Sequence, residues 1–312
     1  QLILSKDLVK TEGHNYVTLS YCWGSANDTA RTTKQNIAQR LKAISIGNLP
    51  KTIQDTIRVM RALGVKFLWV DALCIVQVQE GSNKDWEREL RNMGKIYRHS
   101  VLTIAASGAK SSEGGLFHLR RAARWPVENY YLENDDEAHE PGGTGGLLKP
   151  SLPIWELAVN RSALARRGWV LQEQMLASRT LFWTQDGLFW RCAELTASEY
   201  EEEMEKRHRL PTLQALAQDI VEFETTRRTR SVWTKLLEEF SQKMLTVATD
   251  RLPAVEGLGT DVSRLTGKKM VKGIWSHNLV HELAWMADFM SSKPARLPNM
   301  PSWSWASVDA KL

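Results

Sequence analysis

The chain predicts an α/β fold: a parallel sheet core flanked by helices. Three observations lead there. Short runs rich in β-branched, aromatic and aliphatic residues alternate with amphipathic stretches in the order strand, helix, strand, helix, strand, the pattern of a parallel sheet with crossover helices. One run, Phe67-Leu68-Trp69-Val70, is apolar at every position, as a strand covered on both faces would be. The length, 312 residues, suffices for one large domain or two small ones.

The elements follow in order. Tyr16 to Cys22 (YVTLSYC) is β-branched and aromatic and reads as a strand, closed by Trp23-Gly24-Ser25. A helix follows Pro50, with Thr52 as its cap, Ile53, Ile57 and Met60 at helical spacing, and Gly64 as its stop. The run from Phe67 ends at Asp71. Asp85 to Arg98 is a second helix, and Val101 to Ala106 (VLTIAA) a third strand. In such sheets ligands sit beyond the carboxyl ends of the strands, which directs attention to Ser20 to Gly24, Asp71 to Cys74 and Ser107-Gly108. Glu133 to Gly146 is acidic and then glycine-rich, a loop rather than a core. Arg167 to Leu176 reads as a short helix, and Leu181 to Trp190 as a hairpin turning at Asp186-Gly187. Residues 199 to 250 look mainly helical, and Ser302 to Ser307 (SWSWAS) alternates like a strand. The hairpin and the end of the chain are expected to form a second layer on the core. The expected division is an α/β domain over 1–198, with a loop insertion at about 126–150, and a mainly helical extension over 199–312 that ends in a strand.

Composition narrows the function. Lys and Arg number 41 against 36 Asp and Glu, a net +5, and the charge is spread rather than gathered, which fits a mixed solvated surface and argues against a nucleic-acid partner. Three cysteines without a CxxC pair exclude a disulfide scaffold or a cysteine-rich zinc finger. No apolar run approaches the roughly 20 residues of a membrane span. The first ten residues are too polar for a secretory signal, so a cytoplasmic, reducing location is expected. Thirteen tryptophans call for a broad core or a ring-lined pocket.

Helix geometry singles out Glu89. At 100° per residue, Trp86, Leu90, Met93 and Tyr97 fall within about 60° of one another, and Glu89 projects between Met93 and Ile96 on that apolar face. A carboxylate there must be paired, protonated or lining a cavity; a salt bridge or cap partner and a ligand-pocket carboxylate are both open. Asp71, at a strand end, is either a loop cap or a ligand contact. Ser20, Tyr21, Trp23 and Gly24 stand at the end of the first strand, where Gly24 permits close approach and Trp23 could stack on a planar ring. Arg167, Trp169, Gln172 and Glu173 form a second group, with Glu173 four residues after Trp169 and so on one helix face, reading as an ion pair or a phosphate clamp. His277 and His281 lack a third metal ligand, and Cys22 or Cys74 lack any signature of a thiol nucleophile, so no metal site is expected. GxGxxG and Walker A motifs are absent.

An ordered series of segments resembles the fungal heterokaryon-incompatibility (HET) domain proteins: YVTLSYCWG at Tyr16 to Gly24, LPKTIQDTIRVMRALGVKFLWVDALCI at Leu49 to Ile75, DWERELRNMGKIY at Asp85 to Tyr97, GLF at Gly115 to Phe117, RGWVLQE at Arg167 to Glu173, DRLPAVEGL at Asp250 to Leu258 and PSWSWASVD at Pro301 to Asp309. The resemblance implies a role in cell death after fusion of unlike cells and a distant likeness to TIR domains, hence a TIR/flavodoxin-like sheet. Some TIR domains cleave NAD at the nicotinamide–ribose bond with a helix glutamate. Their pattern of Trp, two residues, then Glu-Leu is similar to Trp86-Glu87-Arg88-Glu89-Leu90 here. The resemblance therefore implies Glu89 as the catalytic carboxylate, and the sequence leaves Glu173 open as the alternative. Ser20, Tyr21, Trp23, Gly24, Asp71, Trp86, Arg167, Trp169 and Gln172 are the implied substrate contacts. NAD or a related nucleotide is implied as substrate rather than cofactor. It also leaves open a non-enzymatic module that self-associates or binds a signalling partner, and a scaffold recruited to other small-molecule chemistry.

Overall fold

β1 (Tyr16–Ser20) is an inner strand of the main sheet. It pairs in parallel with β2 (Phe67–Trp69) on one side and with β3 (Leu102–Ala105) on the other. The computed structural model describes residues 1–4, 7, 15–24, 27–77, 84–119, 130–132, 146–148, 152–201, 204, 210–223, 231–288 and 295–312. Between β1 and β2 runs α1 (Lys51–Ala62), between β2 and β3 runs α2 (Lys84–His99), and before β4 (Arg179–Trp183) comes α3 (Gly168–Leu176). β4 pairs in parallel with β3, then β5 (Leu188–Cys192) and β6 (Thr196–Ser198) add antiparallel. The sheet order is β2-β1-β3-β4-β5-β6, so the parallel strands stand 2-1-3-4, the flavodoxin-type order whose ligand crevice opens between the first and third strands.

The alternation within each strand sorts residues to two faces. Val17, Leu19, Leu102 and Ile104 share a core with Ile53 and Met60 of α1. Phe182 and Phe189 face the other way and pack with Val170 of α3 and Trp155. Tyr97 of α2 lies edge-on to Trp69 with centroids 5.6 Å apart.

Four expectations are corrected. The Phe67–Trp69 run is apolar yet only half-buried, because β2 is the sheet edge. The hairpin at Asp186-Gly187 forms, but it extends the main sheet instead of starting a second layer, since α3 acts as the crossover that lays β4 beside β3. Thr52 does not cap α1: Pro50 holds that position, and the Thr52 hydroxyl is buried and accepts from the Gly115 amide at 3.0 Å. Ser302 to Ser307 is a turn and a 3-10 helix. Ser304 to Ser307 are all buried, Ser304 Oγ accepts from the Ala306 amide, and Trp305 Nε1 donates to the Gly273 carbonyl at 2.9 Å. The strand follows at Val308–Asp309, paired with Ala295–Arg296. Of the expected loop, Tyr130–Leu132 pairs with Gly146–Leu148, and the rest of 133–146 lies outside the described residues.

Beyond the sheet, α4 (Leu213–Glu222), α5 (Val232–Ser241) and α6 (Pro253–Thr266) surround a second core containing fully buried Trp233, Trp275 and Trp305. Thr212 and Ser231 cap α4 and α5 by accepting from the third following amides. Leu171 and Leu176 of α3 belong to this core. α2, α3 and α6 cross closely: Gln172 Oε1 accepts from the Gly257 amide at 2.9 Å, and a Cβ on Gly94 would lie 2.8 Å from Leu176 Cδ1.

Candidate functional site

β1 ends at Ser20, whose Oγ donates to Glu173 Oε2 at 2.5 Å. The pair exists because α3 lies across the face of β1 that Ser20 occupies, and Glu173 is buried there, 5% exposed. The Tyr97 hydroxyl from α2 also reaches Glu173 and lies 3.3 Å from the Leu19 carbonyl. Burial pushes the Glu173 carboxyl up to about 7, against the opposing pull of Arg167 and of the Ser20 and Tyr97 hydroxyls, with Asp71 adding to the rise. At neutral pH this carboxyl is poised between its two protonation states.

Arg167, just before α3, donates to the Tyr21 carbonyl, so Tyr21 enters the cluster through its backbone. Asp71 opens the one-turn helix Asp71–Cys74 after β2; its Oδ1 accepts from the Ala72 amide at 2.6 Å and its Oδ2 from Trp23 Nε1 at 2.9 Å. Burial raises the Asp71 carboxyl, and Arg167 opposes that. One guanidinium thus serves two desolvated carboxyls at the carboxyl ends of β1 and β2. The indole edge of Trp23 is fixed by Asp71, and Arg31 Cζ stands 5.6 Å from its ring centroid.

Glu89 lies at the margin of this group. Glu89, Met93 and Tyr97 follow one line along α2 at intervals of four, spanning about 12 Å. Met93 and Tyr97 are buried, whereas the Glu89 side chain is 21% exposed and pairs with Arg88 Nε at 3.0 Å. Its charge reaches Cys74, an exposed residue on the one-turn helix; desolvation of the sulfur raises this thiol, with Asp71 and Glu89 adding to the rise. Burial also raises the Cys22 thiol. Neither sulfur is set up as a thiolate nucleophile. Trp86 is half-buried in the first turn of α2.

Other expected contacts turn elsewhere. Trp169 Nε1 donates to Asp250 Oδ2 at 3.2 Å and Gln172 holds Gly257, both toward the C-terminal core. Gly24, at φ 66°, faces the 106–116 loop, where a Cβ would lie 2.7 Å from Ser111 Cβ. His277 Nε2 lies 3.0 Å from the Ile220 carbonyl, and among the described residues no three His, Cys, Asp or Glu gather as for a metal ion. Helical spacing places Tyr97 only on the apolar face of α2; the signal for more is its hydroxyl, which needs a partner when buried.

Residues 16–173, just over half of the chain, match the family model described as Heterokaryon incompatibility protein (HET). The chain belongs to the HET family. The match opens on the first residue of β1, closes on Glu173, and so encloses Ser20, Asp71, Tyr97 and Arg167. A heterokaryon-incompatibility-related role follows for this HET protein. No curated protein and no solved structure is significantly similar to it. Among its described residues no helix is long and apolar enough to cross a membrane.

Proposed function

We propose that this HET protein is a cytoplasmic cell-death effector that hydrolyses NAD at the nicotinamide–ribose bond. The supporting observation is the gathering of Asp71, Arg167 and Glu173, with half-buried Trp23 held by Asp71 and Glu89 at the margin near Cys74, at the carboxyl ends of parallel strands in 2-1-3-4 order. As the C–N bond breaks, its electron pair leaves with neutral nicotinamide and the ribose gains oxocarbenium character. Water then adds to the anomeric carbon and loses a proton, giving ADP-ribose. A carboxylate near the ribose stabilises the positive charge and accepts from the ribose hydroxyls.

Exposure divides the work. Glu173 is enclosed, with Ser20 and Tyr97 already on its oxygens, so it positions the end of β1. Glu89, 21% exposed against 5% for Glu173, is the more accessible carboxylate and meets the ribose. Trp23, tethered by Asp71, offers a stacking surface, and Arg167 holds the Tyr21 carbonyl in place. The test is nicotinamide release from NAD by the purified protein, with and without cross-linking that forces assembly. Glu89→Ala is expected to abolish release with an unchanged circular dichroism spectrum. A folded wild type that releases none under either condition sinks the reading.

A second reading, a non-enzymatic module that self-associates, is supported by exposed Leu279, Val280, Leu283 and Met286 on one short stretch, with exposed Trp303 tied to it through Trp285 Nε1, which donates to the Trp303 carbonyl at 2.7 Å.

A further inference from the structure

The face of the sheet covered by α2 and α3 carries a row of polar residues that the candidate site does not use. Register sets Thr18 beside Thr103, Thr103 beside Thr180, Thr180 beside Arg191 and Arg191 beside Thr196. Directly paired residues point to the same face, so five polar side chains from five strands stand in line. All four threonines are buried. At the β1 end the hydroxyls satisfy one another: Thr18 Oγ1 lies 2.7 Å from Thr103 Oγ1 and donates to Ser100 Oγ at 3.3 Å.

The β5 end is different. Thr180 and Thr196, 0% and 2% exposed, flank Arg191, and neither Oγ1 has a hydrogen-bond partner among the described residues. Arg191 is partly open to solvent. One of its nitrogens donates to the Gln174 carbonyl in the last turn of α3, and its Cζ stands 5.8 Å from the Phe182 ring centroid. Desolvation pulls the guanidinium down to about 10, it pairs with no carboxylate among the described residues, and it stays charged at neutral pH. Capping α3 explains one N–H of a group that carries five. It does not explain two hydroxyls without partners, and a cation without a counter-charge, among the described residues, in a surrounding where unpaired polar atoms are costly.

We propose that Arg191, Thr180 and Thr196 bind a phosphate group. A tetrahedral oxyanion would take the free edge of the guanidinium fork and accept from both hydroxyls, supplying the missing charge and the missing partners together. The site is separate from the one at Ser20. Ser20 aligns with Ala105 and Phe182, two residues or about 7 Å nearer the carboxyl edge and three strands away from Arg191. The inference goes beyond NAD cleavage and does not depend on it.

The test is calorimetric titration and thermal unfolding of the whole chain with inorganic phosphate, against chloride at equal ionic strength. Wild type is expected to show saturable binding and a rise in Tm. Thr180→Val and Thr196→Val keep the shape and remove an orphan hydroxyl. Each is expected to fold with an equal or higher Tm in chloride and to lose affinity for phosphate on the order of tenfold. Arg191→Lys is expected to lose more, since an ammonium cannot present the fork; if it fails to fold, the two threonine variants decide. ADP-ribose binding that Thr180→Val weakens equally assigns the site to a nucleotide phosphate, and a response to inorganic phosphate alone assigns it to the free ion. A wild type without saturable binding, or threonine variants that bind phosphate as wild type does, overturns the proposal.

Discussion

The two faces of the main sheet are built on opposite plans from the same strands. Toward α1, β1 and β3 present Val17, Leu19, Leu102 and Ile104, all apolar and buried. Toward α2 and α3 they present Thr18, Ser20 and Thr103, buried just as deeply but needing partners. The first face stabilises without specifying chemistry: removing apolar area from water contributes roughly 25 cal/mol per Å² whatever lies opposite. On the second face Phe182 and Phe189 add apolar burial, but the hydroxyls of β1 and β3 gain little from it, since each loses water and must be met. Where it is met by Glu173 and Tyr97 it makes the candidate site, and where it is not it leaves Thr180 and Thr196 open. Depth of burial therefore separates nothing here; the company each side chain keeps does.

The largest expected effect is on the apolar face. Leu19→Ala or Ile104→Ala should lower unfolding stability by about 2–5 kcal/mol, measured by urea denaturation, because the sheet and α1 close on them. A loss no larger than that of a surface variant would break the contrast. Next comes Glu173. Burial raises its folded carboxyl to about 7 from the ordinary 4.5 that the unfolded chain keeps, so between those pH values the unfolded state binds fewer protons. Stability should fall as pH rises through that window, by about 3 kcal/mol from this group, and level off above it. Glu282, which burial also raises to about 7, adds a fall of the same sign, so Glu173→Gln should make the profile shallower without flattening it. An unchanged profile in that variant would mean Glu173 is not the titrating group.

Smaller again is Ser20→Ala. It removes a donor from the Glu173 carboxylate and should cost about 1–2 kcal/mol above pH 7 and less below, where the carboxyl is protonated; paired urea titrations at pH 5 and pH 8 read the difference. Smallest is Glu89→Ala on stability. Its partner Arg88 is largely exposed, so the unfolding midpoint should match wild type while nicotinamide release is lost. A folding defect in that variant would make Glu89 a structural residue.

Much of this was legible from residue order. The strands at 16, 67 and 102, the helices between them, and the hairpin at Asp186-Gly187 follow from period and turn chemistry, and attention to the carboxyl ends located Ser20, Trp23 and Asp71. The partners within α3 were not legible. Trp169 and Glu173 are four apart, which places them on one face, yet one reaches Asp250 and the other Ser20. The reason is that α3 is buried along nearly its whole surface, between the sheet and the C-terminal core, so spacing within the helix does not say which neighbour each side chain meets. Thr180 and Thr196 were invisible for a related reason: a buried threonine looks like any strand residue until register sets it next to Arg191.

The family match ends at Glu173, inside α3 rather than at its end. The border of similarity is thus not a border of folding. One side of α3 is tied to β1, the other to α6, and a helix cannot change one allegiance without carrying the other. A fragment stopping at residue 198 would retain every matched residue and still strip the cover from Leu171 and Leu176. Grafting the matched stretch onto a different C-terminal partner would need that partner to re-create the mould around Gln172 and Gly257. Modularity in this chain is set by what α3 leans on, on the sheet side and on the C-terminal side alike.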